Sequence, residues 1–298
     1  MRIGVDWGGT KIEAIALSDA GAALVRKRIA TPQHDYDACV AAVARLVTEI
    51  EATLGRTGTV GVGIPGAISP ATGLVKNANS IWLNGRPLDA DLERALGRPV
   101  RVENDANCLA VSEAVDGAGT GAAVVWAAVL GTGAGSGLAV QGRALAGRHR
   151  IAGEWGHNPL PWPGDDERPG PRCYCGRRGC LETFVSGTGL AADHQRRTGQ
   201  ALDAEAIMSR MRAGDPDARR TYDLFLGRLG RGVAHVVNIL DPDVIVLGGG
   251  LSDIDELYAD LPARIAPFVF SDAFETPVRK SRHGPSSGVR GADWLWKG

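Results

Sequence analysis

Two glycine-rich turns carry the residue types that bind phosphate. Gly8-Gly9-Thr10 and Gly131-Thr132-Gly133 each lie between two apolar, strand-like runs. Main-chain N–H groups can converge on phosphate oxygens where no side chain intervenes, and each turn adds a threonine hydroxyl. We expect both turns to be hairpins that need glycine dihedrals. A single glycine hairpin is more often only a turn, but two at equivalent places in a repeated plan favour phosphate binding. Neither has the spacing of a P-loop or a dinucleotide-binding fold.

Two aspartates could serve phosphoryl transfer. Asp105 follows a strand-like run at 101–103 and, with Asn104, opens a helical pattern at 106–115, so we expect it at a strand-to-helix corner. Transfer from a nucleotide needs positioned phosphates, a metal ion and a carboxylate that takes the proton of the attacking hydroxyl. We interpret Asp105 as that base and place Asp6 beside the metal, because Asp6 borders the first glycine turn. The purely structural alternative is that Asn104-Asp105 only caps a helix.

One histidine and three cysteines form a ligand set typical of structural zinc. His157, Cys173, Cys175 and Cys180 offer one imidazole and three thiolates, which complete a tetrahedral site. With all four positions filled by protein, the metal would leave no place for a catalytic water. The alternatives are a disulfide with a spare thiol, or a redox or metal-transfer module.

Glu154 and Glu182 flank this cysteine cluster. A carboxylate accepts hydrogen bonds from two neighbouring hydroxyls, so the pair suits a polyhydroxyl ligand such as a sugar. Alone, each would be a surface charge.

The elements that must position these residues alternate between strand and helix patterns. Apolar residues from 35 to 54 recur in steps of three and four, which predicts an amphipathic helix. Helical patterns fill much of 187–240, and a buried strand at 244–247 ends in Gly248-Gly249-Gly250. Residues 161–172 are rich in proline, glycine and charge, which indicates a loop. The whole is therefore an α/β fold.

The composition excludes several classes of protein. The 298 residues, 44% apolar, suit a soluble globular protein of two lobes. A net charge of −1 without a long basic run disfavours nucleic-acid binding. The N-terminal apolar stretch is too short for a signal peptide or membrane span, so we expect a cytoplasmic protein with no membrane partner.

The ordered motifs resemble the ROK family and, within it, bacterial fructokinases. They include GVDWGGTK at 4–11, ENDANCLAVSEA at 103–114, AGEWGHNPLP at 152–161 and CYCGRRGCLET at 173–183. The resemblance implies an actin-like ATPase (ribonuclease H-like) fold with a cleft between two α/β lobes. We expect one lobe at 1–117, completed by a C-terminal helix at 286–298, and the other at 118–285, carrying the zinc motif.

The resemblance also implies roles for residues at matching positions. Asp105 would be the catalytic base. The sugar ligands would be Asn79, Asn104, Asp105, Glu154, His157 and Glu182. The ATP-binding positions would be Asp6, Gly8, Gly9, Thr10, Lys11, Thr132, Gly133, Gly248, Gly249 and Gly250. His157 would bind zinc through one ring nitrogen and donate to the sugar through the other.

These features predict a sugar kinase that uses ATP with Mg²⁺ and binds structural zinc. The resemblance implies phosphorylation of the 6-hydroxyl of fructose, with mannose next. The alternatives are a glucokinase, an N-acetyl-amino-sugar kinase or a non-catalytic sugar sensor. A sugar-responsive repressor would need an N-terminal DNA-binding domain, and none fits because the first hairpin begins at residue 2. We expect a homodimer, the commonest soluble oligomer.

Overall fold

The computed structural model describes residues 1–296, which form two compact units. Among the described residues, the first contains 1–127, 137–153 and 282–296, and the second contains 128–136 and 154–281. The lobe boundaries expected at 117/118 and 285/286 stay a prediction. Lys297 and Gly298, the end of the predicted C-terminal helix, lie outside the described residues. Within residues 1–296, no helix combines the length and the apolar character that crossing a membrane requires.

The first unit is built on a five-stranded sheet. Its strands are β1 (Arg2–Trp7), β2 (Lys11–Leu17), β3 (Ala23–Ala30), β4 (Thr59–Ile64) and β7 (Val100–Asn104), beside a two-stranded ribbon of β5 (Ala67–Ile68) and β6 (Val75–Lys76). The sheet order is β3-β2-β1-β4-β7, with β1 antiparallel to β2 and parallel to β4. Strands β1, β2 and β4 are almost wholly buried, whereas β3 alternates between exposed and half-buried residues, as an edge strand does.

Four helices belong to this unit: α1 (Tyr36–Leu54), α2 (Leu88–Leu96), α3 (Asp105–Val115) and the last helix, α9 (Ser287–Trp294). Asp35 caps α1 by accepting the Ala38 N–H, and Gly55 ends it with a positive φ of 64°. Glycine lets α9 approach its neighbours. A Cβ on Gly61 of β4 would lie 1.9 Å from the Ala292 carbonyl oxygen, and one on Gly291 would lie 1.6 Å from the Cys108 carbonyl oxygen. Backbone therefore packs on backbone where β4, α3 and α9 meet.

The second five-stranded sheet repeats the plan of the first. Its strands are β8 (Val124–Leu130), β9 (Ala134–Val140), β10 (Arg143–Ala144), β11 (Val244–Gly248) and β12 (Val278–Lys280), in the order β10-β9-β8-β11-β12. In both sheets a three-stranded antiparallel run is followed by two later strands, so the prediction that the chain is built twice is confirmed. The tip of the β8–β9 hairpin, 128–136, belongs to the second unit.

The part of the second unit at 154–281 carries five helices: α4 (Glu182–Val185), α5 (Gly187–Thr198), α6 (Ala204–Arg212), α7 (Pro216–Leu240) and α8 (Glu256–Ile265). The predicted helix at 35–54, both glycine hairpins and the strand at 244–247 are confirmed. Strand β3 and helix α2 are additions that the sequence patterns did not reveal.

Candidate active site

The first glycine turn joins β1 to β2 and is held by hydrogen bonds. The Gly8 N–H donates to the Lys11 carbonyl oxygen at 2.9 Å. Two side chains that follow β3 donate hydrogen bonds to the turn. The Thr31 hydroxyl donates to the Gly8 carbonyl at 2.8 Å, and the Gln33 amide donates to the Gly9 carbonyl at 2.9 Å. Thr31 and Gln33 are positioning residues that sequence patterns missed, because nothing local links them to the turn.

The glycines of this turn are needed for space rather than for dihedral angle. Neither Gly8 nor Gly9 has a positive φ, so the expectation of special glycine dihedrals is wrong. A Cβ on Gly8 would lie 2.9 Å from the Lys11 carbonyl oxygen, and one on Gly9 would lie 3.1 Å from the Ser80 hydroxyl oxygen. Bare backbone is therefore available where a phosphate would bind.

Asp6 sits near the end of β1, directly opposite Glu13 of β2. Burial and the neighbouring Glu13 carboxylate raise the pKa of Asp6 to about 6, against the opposing effect of Lys11. Glu13 is itself buried and pairs with Arg26 and Arg28, each at 2.5 Å. A bound cation would favour the ionised Asp6 carboxylate, so this position suits the predicted place beside a metal ion.

Asp105 lies at the predicted strand-to-helix corner, as the first residue of α3. Its Oδ1 accepts the Ala106 N–H at 2.8 Å. Asn104 caps the helix, because its Oδ1 accepts the N–H groups of Ala106 at 2.9 Å and Asn107 at 3.2 Å. The capping interpretation of Asn104 is thus confirmed, and a sugar contact would fall to its amide nitrogen, which donates to the Gly66 carbonyl at 3.3 Å.

Glu103 supports this corner from inside and was not predicted. Its Oε1 accepts the Asn104 N–H at 2.9 Å and the Asn107 side-chain amide at 3.2 Å. Its Oε2 pairs with Arg150 at 3.3 Å. The corner is therefore fixed by a buried carboxylate as well as by the helix cap.

Asn79 is exposed on the loop after β6. The loop is closed by Asn84, whose side chain accepts the Ala78 N–H and donates to the Ala78 carbonyl, both at 2.9 Å. The preceding residue is thus fixed while the Asn79 side chain stays open to solvent.

In the second unit, Glu182 packs on the second glycine turn. Its Oε2 accepts the Ala134 N–H at 2.9 Å, and a Cβ on Gly133 would lie 2.6 Å from that same oxygen. The Gly131 carbonyl accepts the Gly187 N–H, and the Thr132 carbonyl accepts the Thr188 hydroxyl, both at 2.8 Å. One carboxylate oxygen of Glu182 thus braces the turn, which leaves Oε1 for a ligand.

One cavity of about 870 Å³ is lined by residues of the second glycine turn and of the run Gly248-Gly249-Gly250. Its volume accommodates a nucleoside. Thr132 and Gly250 both line it, with α5 and α6 supplying other walls. Gly249, the residue before Gly250, has a φ of 81°, and a Cβ there would lie 2.5 Å from the Leu130 carbonyl oxygen. Met208 and Arg212 of α6 also line the cavity, and no motif marked them.

The predicted zinc ligands come together within the second unit. One donor atom from each of His157, Cys173, Cys175 and Cys180 lies within 4.8 Å of the others. The His157 Nδ1 is 3.5 Å from the Cys173 Sγ, and the Cys175 and Cys180 Sγ atoms are 3.6 Å apart. Ordinary Zn–S and Zn–N bond lengths place tetrahedral ligands about 3.6–3.8 Å apart, so the donors fit zinc. All five cysteines are free thiols, which leaves the disulfide alternative without support.

The second ring nitrogen of His157 is already engaged. Its Nε2 lies 2.9 Å from the hydroxyl of Tyr174, which is largely exposed. A sugar contact through Nε2 would require the Tyr174 hydroxyl to move away or to share this nitrogen with the sugar hydroxyl. Glu154 is exposed at the start of the short 3-10 turn Trp155–His157.

Known proteins resemble the chain over its whole length. The ROK family model matches residues 2–298. The N-acetyl-D-glucosamine kinase of Pasteurella multocida (strain Pm70) is 40% identical, covering 99% of both chains. The N-acetylgalactosamine kinase AgaK of Shewanella sp. (strain ANA-3) is 40% identical over 100% of this chain and 97% of that one. The crystal structure of the ROK hexokinase from Thermus thermophilus has a TM-score of 0.87 at 32% identity, covering 99% and 97%.

These relatives confirm the predicted family and its actin-like fold. None of the three is named a fructokinase, so the narrower resemblance to fructokinases gains no support. A chain that matches the family model from residue 2 to residue 298 and carries its motifs in order belongs to that family. The protein is a sugar kinase of the ROK family.

Proposed function

We propose that this kinase transfers the γ-phosphate of ATP to the 6-hydroxyl of an N-acetylated hexosamine, with N-acetylglucosamine first. The observation that carries this proposal is 40% identity over essentially the full length to kinases of two such sugars. N-acetylglucosamine and N-acetylgalactosamine differ in the configuration at C4 and share the 2-acetamido group. This support replaces the prediction of fructose with one of the alternatives, an N-acetyl-amino-sugar kinase.

In the proposed reaction, Asp105 accepts the proton of the sugar 6-hydroxyl as that oxygen attacks the γ-phosphorus and ADP leaves. Asp105 is the first residue of α3, and the helix dipole stabilises negative charge at that end. Asn104 and Glu103 hold the corner, so the carboxylate is oriented before the sugar arrives. The remaining sugar contacts are proposed for Asn79, the Asn104 amide, Glu154, His157 and Glu182.

The first glycine turn, with Gly8, Gly9, Thr10 and Lys11, is proposed to hold phosphate oxygens of ATP. Thr132 and Gly250 line the cavity proposed for the adenosine, with Gly133, Gly248 and Gly249 shaping the backbone around it. Magnesium bound with ATP neutralises charge on the phosphates, and Asp6 is proposed to lie beside it.

Zinc is proposed as a structural metal held by His157, Cys173, Cys175 and Cys180. A metal with four protein ligands has no open position for a catalytic water. The contribution of zinc would therefore be structural: it would fix the segment that carries His157 and Glu154. The expected homodimer also stays a proposal.

A comparison of steady-state kinetics tests the substrate. ADP release would be measured with N-acetylglucosamine, N-acetylgalactosamine, glucose, mannose and fructose. We expect kcat/KM for an acetylated sugar to exceed that for fructose by at least about tenfold, because a site built to hydrogen-bond an acetamido group rejects a sugar that lacks it. A higher kcat/KM for fructose would reject the proposed substrate, and no ADP release with any sugar would favour the sensor alternative.

A further inference from the structure

A cavity of about 780 Å³ in the first unit is lined by none of the residues assigned to sugar, nucleotide or zinc. Its walls include the edge strand β7 and the short strand β10. Three arginines line it, Arg101, Arg143 and Arg150, and we call it the arginine cavity. Asp89 and Glu103 are its acidic lining residues.

The positive charge of this cavity is only partly neutralised. Glu103 is paired with Arg150 at 3.3 Å and accepts two N–H groups besides. Asp89 is thus the one lining carboxylate left to balance Arg101 and Arg143. Within residues 1–296, Arg143 is exposed and forms no ion pair.

Two contacts fix the Arg101 guanidinium, and neither of them is with a carboxylate that would neutralise its charge. Its guanidinium lies over the Trp296 ring, 4.4 Å from the ring centroid, and donates to the Leu295 carbonyl. A guanidinium fixed in this way loses little side-chain entropy when it binds an anion. One positioned arginine and one free arginine therefore face a single cavity.

We propose that the arginine cavity binds the phosphate group of a small phosphate ester and that binding lowers turnover. Arginine forks match phosphate oxygens in pairs, and the cavity volume falls in the range of small-ligand sites. The product of a sugar kinase belongs to this chemical class.

The cavity is connected to the catalytic corner by one ion pair. Arg150 lines the cavity and pairs with Glu103 Oε2, while Glu103 Oε1 holds the N–H of Asn104 and the amide of Asn107. A phosphate that draws Arg150 away leaves a buried carboxylate without its cation. Glu103 and the corner that carries Asp105 then lose a fixed position, so kcat falls.

Isothermal titration calorimetry tests the binding. The probes are N-acetylglucosamine 6-phosphate and inorganic phosphate. Arg143→Gln removes one cavity charge, and Arg148→Gln makes the same change at an exposed position five residues on, outside the lining. We expect Kd for the ester to rise about tenfold in Arg143→Gln, as loss of a charged hydrogen bond implies, and to stay unchanged in Arg148→Gln. Equal Kd values in all three proteins, or no binding at millimolar ester, would overturn the site.

The two probes distinguish the source of the phosphate. Tighter binding of the ester than of inorganic phosphate supports an ester site. Equal Kd values for the two probes would overturn the ester and leave free phosphate as the ligand.

The kinetic arm rests on the proposed kinase function, whereas the binding arm does not, so the failures of the two are distinguishable. We expect saturating ester to lower kcat about fivefold in the unsubstituted enzyme, a coupling of ordinary size, and to leave kcat unchanged in Arg143→Gln. Inhibition that only raises KM and persists in Arg143→Gln would place the ester in the active site and overturn the regulatory role.

Discussion

Asp105 is the proposed catalytic base, and replacing it by asparagine separates chemistry from folding. The asparagine oxygen can still accept the Ala106 N–H, so the corner should keep its shape, with a loss of about 0.3–1 kcal/mol from the helix dipole. The base is lost, so we expect kcat to fall about 10²–10⁴-fold with little change in the sugar KM.

The matched control for Asp105→Asn is Asp37→Asn, the same change at an exposed position in the first turn of α1. It should leave kcat unaltered. Steady-state kinetics and thermal unfolding check both variants, and turnover of Asp105→Asn within twofold of the unsubstituted enzyme would reject the base.

The raised pKa of Asp6 predicts that activity declines on the acid side of the pH profile. Its pKa of about 6 means that the carboxylate becomes protonated below that pH, and a neutral acid attracts a cation less strongly. We therefore expect kcat/KM for MgATP, which reports the free enzyme, to decline below about pH 6. Glu13→Gln removes a carboxylate that raises the Asp6 pKa, so this decline should move to lower pH.

The control for Glu13→Gln is Glu49→Gln, which alters a half-exposed ion pair with Lys27. Profiles of kcat/KM between pH 5 and 8 would be compared for the three proteins. A decline that stays in place in Glu13→Gln would contradict the role given to Asp6.

At the scale of elements, the loop at 161–172 is anchored to α7 by a buried ion-pair group. Glu167 pairs with Arg228 at 2.9 Å and Arg231 at 2.7 Å. Burial raises the pKa of Glu167, but hydrogen bonds from the two arginines outweigh burial and lower it to about 2. We expect Glu167→Gln to lower the free energy of unfolding by about 1.5–3 kcal/mol at pH 7, because Arg231 loses its carboxylate partner and the buried Arg228 keeps only Asp193, at 3.1 Å.

The sign of the pH dependence follows from the depressed pKa. The Glu167 contribution is complete above the unfolded value, about 4.3, and is lost as pH falls toward 2. Urea unfolding at pH 7 and pH 3 should show a smaller difference between Glu167→Gln and the unsubstituted protein at pH 3. Asp165→Asn, a fully exposed change in the same loop, is the control. An equal difference at both pH values would contradict this account.

Elements with strong periodicity could be predicted from the sequence, and elements defined by distant partners could not. The helix α1 shows its apolar face in spacing alone, and the Asp105 corner shows a cap. Strand β3 carries alternate exposed charges at the sheet edge, so its pattern is weak. The braces on the first glycine turn, Thr31 and Gln33, lie more than 20 residues away from it, and no local signal joins them.

At the scale of the whole molecule, motif order predicted the family and the two glycine hairpins predicted the repeated sheet plan, whereas the relatives do not support the predicted preference for fructose. The residues proposed to contact sugar, such as Glu182 and His157, are of types that bind any polyhydroxyl ligand. Specificity depends on angstrom-scale placement of those groups, and residue identity does not carry that information. One of the proposed sugar ligands, Glu182, also accepts a hydrogen bond within the protein, from the Ala134 N–H.

The proposed zinc site should stabilise one part of the molecule and not the other. We expect one zinc per chain by elemental analysis, and less in Cys173→Ser. Cys39→Ser, a buried cysteine whose Sγ contacts the Pro32 carbonyl, should keep the metal. Burial raises the pKa of Cys180 to about 12, so uptake of zinc by the chelated protein at pH 7 should release protons.

The region affected is predicted from the hydrogen bonds around the cluster. The Leu160 N–H donates to the Gly179 carbonyl and the Cys173 N–H to the Arg177 carbonyl, so the ligands tie together segments that carry little regular structure of their own. After chelation, hydrogen exchange should show lost protection at 155–181, while β1, β2 and β4 of the first unit keep theirs. A uniform loss across both units would mean that the metal stabilises the whole chain. An unaltered exchange pattern after complete zinc removal would mean that the cluster does not act as a structural site.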